Sequence, residues 1–220
     1  MTTASLFSLI MLVLFVGGTL TSFTLMRLPS LLRSYAFSSV ALGGLALALS
    51  YEKQTMHLIP VAVAVVAIKA VLVPFVIQRM AERSGASLRL FSSLRPSASW
   101  FIGTLVFASG MYLAFQSPLY QINGAIQTPA LLPISIGVIL VGFVMMIIRK
   151  DLLSQMIGFL VLENGIAAFS LSALGGIPVA IEFGVYSAVL IGAILMATLS
   201  QRVQKLLGTH DTSHLSELTD

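Results

Sequence analysis

The sequence of 220 residues contains no cysteine and very little charge. Without cysteine the chain can form no disulfide bond, thiolate metal site or cysteine-ligated iron–sulfur cluster, and it has no cysteine nucleophile. Charged residues make up 9% of the chain, against about 25% in an average soluble domain. Hydrophobic residues make up 57%, and the mean hydropathy is +1.00. These values exclude a soluble enzyme, a nucleic-acid binder and a disordered protein. They predict an all-α, polytopic membrane protein.

Seven stretches of the chain are apolar and long enough to cross a bilayer, for which a helix needs about 20 residues. Prolines such as Pro29 fall between these stretches or at their starts, where a missing amide hydrogen costs little. The seven predicted spans are Ser5–Met26, Ser34–Tyr51, Met56–Gln78, Ser99–Phe115, Ala130–Ile148, Leu152–Leu174 and Val179–Ser200.

The basic residues of the connections lie almost all on one side of these seven spans. The opposite side has only Lys53, next to Glu52, and an uncharged connection over Gln116–Pro129. Because cytoplasmic connections carry an excess of Lys and Arg, the N-terminus is predicted outside and the C-terminus in the cytoplasm. The basic residues on the predicted cytoplasmic side are Arg27, Arg33, Arg79, Arg83, Arg89, Arg95, Arg149, Lys150, Arg202 and Lys205.

The segment Arg79–Ala98 is the only sizeable cytoplasmic loop that this topology predicts. Its apolar residues among arginines, such as Leu88, Leu90 and Phe91, favour an amphipathic helix on the membrane surface, with a partner-docking surface as the alternative. The tail from Gly208 to Asp220 is polar, and we expect it to be disordered or to lie on a partner subunit.

Three charged residues remain inside the predicted spans, where each costs at least about 2.5–3.5 kcal/mol and usually faces protein or water. Lys69 lies near the middle of the third span, and Pro74 follows it. Since proline frees a carbonyl one turn back, we expect a kink there. A lysine beside free carbonyls near mid-membrane favours a proton or ion relay. The alternative is a salt bridge that only holds two helices together.

Glu163 and Glu182 are the acidic residues of this set. Glu163 lies at a depth similar to that of Lys69, so the two can pair or communicate through water. Asn164 adds an amide, and Gly165 allows another backbone to approach closely. The alternative for Glu163 is a protonated side chain bonded to a carbonyl. Glu182 is one or two turns from the outer surface. It is interpreted either as an outer link in a proton path or as a residue that reaches the membrane interface.

The sequence contains no P-loop, GxSxG, HExxH or dinucleotide-binding motif. We therefore predict no catalytic residue, cofactor-binding residue or metal ligand in this chain. His210 and His214 are four residues apart in the tail, and without a third ligand we interpret them as solvated.

The residues around the buried charges resemble hydrogenase-4 component E, a membrane subunit of formate hydrogenlyase-type and other group 4 hydrogenases. The matching stretches are AIKAVLVPFVI, IIRKDLLSQMIGFLVLENG and GTHDTSHLSEL, so the resemblance covers essentially the whole chain. It implies a non-catalytic subunit in the plasma (inner) membrane of a prokaryote, with antiporter-like and H-like membrane subunits as partners. A peripheral hydrogenase arm would hold the nickel–iron and iron–sulfur centres.

The resemblance also implies roles for individual residues in proton (or Na⁺) translocation coupled to electron transfer. Lys69 and Glu163 would pass protons, and Glu182 would be a possible outer link. Arg149 and Lys150 would lie at the inner mouth, and Pro74 and Asn164 would support the path.

The part from Leu131 to Leu218 is also similar to the K subunit of respiratory complex I. The shared pattern is an apolar helix, a basic pair and LL–IG, followed by two more helices and a polar tail. Glu163 lies one turn after the place of the family's second-helix acid, which Leu160 occupies. The third-helix acid, expected near Ala188, is missing. The chain then divides into helices one to three with the basic loop (1–98), a linker helix and outer loop (99–129), a K-subunit-like unit (130–207) and the tail (208–220).

Two further hypotheses follow from the same residues. The basic turns with paired leucines after the first and fifth spans suggest a parallel duplication of a three-helix unit, which superposition of helices one to three on five to seven would test. For function, the alternatives to a pump subunit are a purely structural membrane anchor and a stand-alone secondary ion transporter.

Overall fold

The computed structural model describes residues 3–54, 56, 58–83, 90, 92, 94–118, 120 and 130–173, together with 191, 192, 194, 195, 198, 199 and 202. Six long helices dominate this part of the chain, and the third of them contains a π-helical segment. They are α1 (Thr3–Thr24), α2 (Leu28–Lys53), α3 (α-helical over Leu58–Ala64, π-helical over Val65–Leu72 and α-helical over Val73–Arg83), α4 (Pro96–Gln116), α5 (Leu131–Ile148) and α6 (Leu152–Ala173).

All six helices are long and apolar enough to cross a membrane, and the described residues form no strand beyond an isolated bridge. Each of them overlaps one of the first six predicted spans. The all-helical, multi-pass class predicted from composition is therefore supported for the described part of the chain. The seventh predicted span, Val179–Ser200, lies mostly outside the described residues.

The start of α2 differs from the prediction by six residues. We expected the second span to begin at Ser34, with Pro29 and Arg33 in the connection, but α2 begins at Leu28 and has proline in its first turn. Proline suits that position, since its missing N–H would have no partner there and its fixed φ is helical. Arg33 is consequently helical, on an exposed face.

Three connections meet at one end of the bundle, which we call the basic end. The Leu90 N–H donates a 2.9 Å hydrogen bond to the Met26 carbonyl, and Ser92 forms an antiparallel bridge with Arg149. The expected amphipathic helix is wrong for this part of the loop. Leu90 and Ser92 are not helical, and Leu90 is buried, because the loop pairs its backbone with the bundle.

The other end of the bundle, which we call the far end, is where α1 begins and α2 ends. There the Ser8 hydroxyl donates a 3.2 Å hydrogen bond to the Glu52 carboxylate. Since α2 and α6 both begin at the basic end, they run parallel, and they pack against each other. α5 and α6 form a closely packed antiparallel hairpin, with α4 against α5. This arrangement places the middles of α2, α3 and α6 together in the interior.

Candidate functional site

Lys69 and Glu163 form an ion pair in the middle of the bundle. Lys69 lies on the π-helical segment of α3, and Glu163 lies halfway along α6. Their side chains are 0% and 6% exposed. The sequence placed the two residues at similar depth but left their contact open. The structure joins them directly.

Asn164 and Ser39 extend this pair into a polar cluster of four side chains. Lys69 Nζ donates a 3.0 Å hydrogen bond to Asn164 Oδ1, and Asn164 Nδ2 donates a 2.9 Å hydrogen bond to Ser39 Oγ. Asn164 and Ser39 are both buried. The amide orientation follows from these partners, because only its oxygen can accept from an ammonium. The cluster therefore connects α2, α3 and α6.

The burial of this cluster is costly unless its members stay paired. Removing an ion from water costs several kcal/mol after relaxation, and the mutual attraction offsets this only with good geometry and further hydrogen bonds. Here Asn164 supplies a further acceptor for the Lys69 ammonium, and Glu163 supplies the counter-charge. Loss of either charged partner would leave the other uncompensated in the interior.

The backbone around Lys69 departs from α geometry. Over Val65–Leu72 the helix is π-helical, and the N–H of Val73 bonds to the Ile68 carbonyl, five residues back. The segment ends two residues before Pro74. We expected a kink here from Pro74, and the observed distortion is this wider turn. π-Helical turns occur frequently at functional sites, and this one carries the buried lysine.

Close packing of α6 against α5, on the other side of α6, holds the cluster residues of α6 in place. A Cβ atom added to Gly165 would lie 2.7 Å from the Ile139 nitrogen on α5, which is too short for a real contact. Gly165 thus allows the close backbone approach that the sequence predicted. Any larger residue would push α6, with Glu163 and Asn164, away from α5.

Arg149 forms a second buried polar cluster at the basic end. Its Nη2 donates hydrogen bonds of 2.8 Å to the Leu25 carbonyl, 3.0 Å to the Phe23 carbonyl and 3.3 Å to the Ser22 carbonyl. Nη1 lies 3.4 Å from the Met26 sulfur. The last carbonyls of a helix have no partner within it, and a cation there is favoured by the helix dipole. Arg149 therefore caps α1.

Burial lowers the pKa of the Arg149 guanidinium, and the nearby Asp151 carboxylate opposes this shift. An arginine nevertheless stays protonated in proteins. Asp151 also caps α6. Its Oδ1 accepts a 2.8 Å hydrogen bond from the Ser154 N–H, and its Oδ2 accepts a 2.6 Å hydrogen bond from the Ser154 hydroxyl. The short turn between α5 and α6 thus provides hydrogen-bond partners for carbonyls at the end of α1 and for an N–H group at the start of α6.

The other residues singled out from the sequence lie apart from this cluster or outside the described residues. Arg149 was expected at an inner mouth, and the structure buries it against α1, while Lys150 is half-buried beside it. Glu182, His210 and His214 lie outside the described residues. In the described part of the chain, no group of three His, Cys, Asp or Glu side chains could hold a metal ion.

Sequence reasoning missed Ser39 and Asp151. Serine is common in membrane helices, so Ser39 gives no signal on its own. Asp151 was recognisable in principle, because an aspartate directly before an apolar run is a common helix N-cap.

Comparison with known proteins gives similarity along the chain but no assigned function. No family model matches the sequence, and no solved structure matches it. The uncharacterized protein Rv0085 of Mycobacterium tuberculosis is 29% identical over 196 residues, which cover 88% of this chain and 87% of that protein. The two chains are therefore similar over most of their lengths.

Proposed function

We propose that this chain is a non-catalytic integral membrane subunit of a complex I-like group 4 hydrogenase of the formate hydrogenlyase type. In this proposal it anchors the complex and contributes to translocation of protons (or Na⁺) coupled to electron transfer. The observation that carries the proposal is the buried cluster of Lys69, Glu163, Asn164 and Ser39 in the middle of three membrane-length helices. The stretches around Lys69 and Glu163 are also those that resemble hydrogenase-4 component E.

The proposed topology has seven spans, with Val179–Ser200 as the last. The N-terminus lies outside and the basic end faces the cytoplasm of a prokaryotic cell, since Lys and Arg are retained on that side. The connections that contain Arg27, Leu90 and Arg149 meet at one end of the bundle. This supports a topology in which they lie on the same side of the membrane. The far end then faces outward.

The Lys69–Glu163 pair can exchange a proton without leaving a net charge in the interior. Transfer of one proton from the Lys69 ammonium to the Glu163 carboxylate converts two ions into a neutral amine and a carboxylic acid. The acid can then release its proton to one side, and the amine can take up another from the opposite side. Glu182 is proposed as a later link toward the outside.

The driving force would come from partner subunits. Antiporter-like and H-like membrane subunits would lie beside this chain, and a peripheral arm would hold the nickel–iron and iron–sulfur centres. This chain would respond through conformational and electrostatic coupling, since a change in charge near the cluster alters the balance between the ionic and neutral forms.

Purification of the tagged chain from its native membranes in a mild detergent tests the assignment to a complex. We expect it to co-purify with membrane subunits and with nickel- and iron-containing proteins that oxidise hydrogen. A chain that elutes alone and transports ions after reconstitution would contradict the proposal and favour a stand-alone secondary transporter.

Proton translocation by the assembled complex tests the role of the cluster. We expect Glu163→Gln and Lys69→Ala each to reduce proton translocation per assembled complex in membrane vesicles, measured on the complexes that still assemble. Glu82→Gln serves as a control, because Glu82 is an exposed carboxylate near the basic end. Unchanged translocation in both cluster variants would reject the relay.

A second candidate function is a purely structural membrane anchor. The observation that favours it is that the cluster ties three helices together through direct contacts. In that case the same substitutions would lower the amount of assembled complex, and translocation per assembled complex would stay at the wild-type value.

A further inference from the structure

An apolar groove lies beside the α5–α6 hairpin, next to the turn that joins the two helices. The described residues that line it are Met146, Gln155, Met156, Phe159 and Gly192, and its volume is about 340 Å³. We call it the α5–α6 groove. Ligand pockets have volumes of about 300–1,000 Å³, so the groove is large enough to hold a substantial part of an organic molecule.

The groove extends from the basic end into the part of the bundle that is long enough to cross a membrane. Met146 lies in the last turn of α5, and Gln155 lies in the first turn of α6. Phe159 is seven residues after Leu152, which is about 10 Å along the helix. Since the hydrocarbon core of a bilayer is about 30 Å thick, the groove spans about two thirds of one leaflet. This is the depth that the acyl chain of a phospholipid occupies below its headgroup.

The walls of the groove suit a flexible hydrocarbon chain. Methionine is unbranched and polarisable, so Met146 and Met156 can adapt to an irregular apolar partner. Phe159 is 41% exposed, and it adds an apolar surface that is open to the surroundings of the bundle. A Cβ atom added to Gly192 would meet nothing within 4 Å, so the wall formed by this residue has space in front of it.

The end of the groove nearest the turn is polar and carries a positive charge. Gln155 Nε2 donates a 2.8 Å hydrogen bond to the Arg149 carbonyl, which connects the groove to the turn. Lys150, half-buried, is the next residue of this turn. The Asp151 carboxylate that follows is buried and bonds to Ser154. None of the described residues that line the groove is acidic. The charge at this end therefore favours an anion.

We propose that the α5–α6 groove binds one anionic phospholipid, with an acyl chain along the groove and the headgroup phosphate at the turn. Lys150 supplies the cation, and Gln155 supplies its second amide hydrogen. Basic pockets between membrane helices bind anionic headgroups in this way. A zwitterionic phospholipid would bring its own cation to Lys150, so the charge of the turn selects against it. The inference requires only that the helices cross a membrane, and it does not depend on the proposed hydrogenase complex.

The single tryptophan of the sequence, Trp100, allows a local test by fluorescence quenching. The full-length chain is reconstituted into bilayers of phosphatidylcholine that contain either brominated phosphatidylglycerol or brominated phosphatidylcholine. Bromine quenches a tryptophan in contact with it, so the two titrations give the relative affinity of the two lipids at that tryptophan. Phe159→Trp in a Trp100→Phe background reports on the groove. Wild-type Trp100 is the control, because it is exposed near the start of α4, at the same end, and does not line the groove.

We expect the Phe159→Trp protein to prefer phosphatidylglycerol by about fivefold, since each Lys or Arg near the surface attracts anionic lipid by about that factor. Lys150→Gln should remove this preference at Phe159→Trp and leave the lipid affinities at Trp100 unchanged. Arg33→Gln, on an exposed face of α2, should change neither signal at the groove. Equal affinities of the two lipids at Phe159→Trp, or a preference that Lys150→Gln leaves intact, would overturn the site. Absence of quenching by both lipids would show that no lipid enters the groove.

Native mass spectrometry of the full-length chain in mild detergent gives a second measurement that needs no introduced tryptophan. We expect the wild type to retain one added phosphatidylglycerol molecule in preference to phosphatidylcholine. Gly192→Leu should lose most of this binding, because its side chain enters the groove. Gly17→Leu is the matched control and should keep it. Gly17 is also a helical glycine at which a Cβ atom would meet nothing within 4 Å, but it lies on an exposed face of α1. Equal retention by the two glycine variants, or none by the wild type, would contradict the proposal.

Discussion

Lys69 donates a 3.0 Å hydrogen bond to Asn164, and the same ammonium pairs with Glu163, the preceding residue of α6. One side chain of α3 is thus held by two consecutive residues of another helix. Consecutive residues of an α-helix point about 100° apart, so Lys69 must lie between their directions. This position fixes the rotation of α3 relative to α6.

Removal of one charge from the pair should destabilise the protein more than removal of both. We expect Glu163→Gln and Lys69→Met each to lower the free energy of unfolding by about 3–5 kcal/mol, because each leaves a buried charge unpaired. The double variant should recover a large part of this loss. Thermal or denaturant unfolding in detergent measures the stability of four purified proteins: the wild type, the two single variants and the double variant. Additive effects of the two substitutions would contradict a coupled pair.

Ser39→Ala should weaken the cluster without removing a charge. The Asn164 Nδ2 group would lose its described acceptor, at a cost of about 1–3 kcal/mol for a buried unsatisfied donor. Ser38→Ala is the control, because the Ser38 hydroxyl bonds to the Tyr35 carbonyl of its own helix. The same unfolding measurement should show the larger loss for Ser39→Ala, and equal losses would argue against the Asn164 contact.

Arg149→Lys should destabilise the basic end although it retains the charge. Lysine cannot reproduce the fork with which Arg149 reaches the carbonyls of Phe23 and Leu25, and hydrogen bonds to charged groups contribute about 1.5–3 kcal/mol each. Arg33→Lys, on an exposed face of α2, should change stability by less than about 0.5 kcal/mol. Hydrogen exchange at the end of α1 would locate the effect, and unchanged protection there would contradict the capping role.

Gly165→Ala and Gly17→Ala should have opposite effects on stability. The added methyl at Gly165 would meet the Ile139 backbone at 2.7 Å, whereas at Gly17 it would meet nothing within 4 Å. Gly17→Ala should therefore stabilise α1 by about 0.5–1 kcal/mol through helix propensity, and Gly165→Ala should destabilise the α5–α6 hairpin. Midpoint temperatures of the two variants on opposite sides of the wild type would confirm the prediction.

The sequence located the two charges of the cluster but could not predict the contacts between them. Lys69 and Glu163 stand out because charge is rare in apolar runs, and their depth follows from counting residues. Their pairing depends on how α3 and α6 are rotated about their axes. The π-helical segment changes the rotation of α3, and no local sequence pattern predicts by how much. Ser39 has no distinguishing neighbour in the sequence, and only the parallel contact of α2 with α6 shows its role.

Basic residues at helix ends were interpreted through topology alone, and this accounts for the other differences. Arg149 was grouped with Lys150 as an inner-side marker, yet its side chain is buried against the carbonyls of α1. In the same way, treating Pro29 as part of a gap shortened α2. Pro29 in the first turn of α2 and Arg149 against the end of α1 are both explained by backbone groups that lack partners at helix ends. Counting charges does not reveal those groups.

The π-helical segment Val65–Leu72 also has a consequence for tolerance to deletions. A deletion in a membrane helix ordinarily rotates everything beyond it by about 100° relative to its neighbours. A π turn, by contrast, holds one more residue than an α turn. Loss of a single residue within Val65–Leu72 could be absorbed by return to α geometry, leaving the faces of Leu58–Ala64 and Val73–Arg83 where they are. The middle of α3, around Lys69, is thus where this helix can lose a residue while its two flanking α-helical parts keep the same faces toward the rest of the bundle.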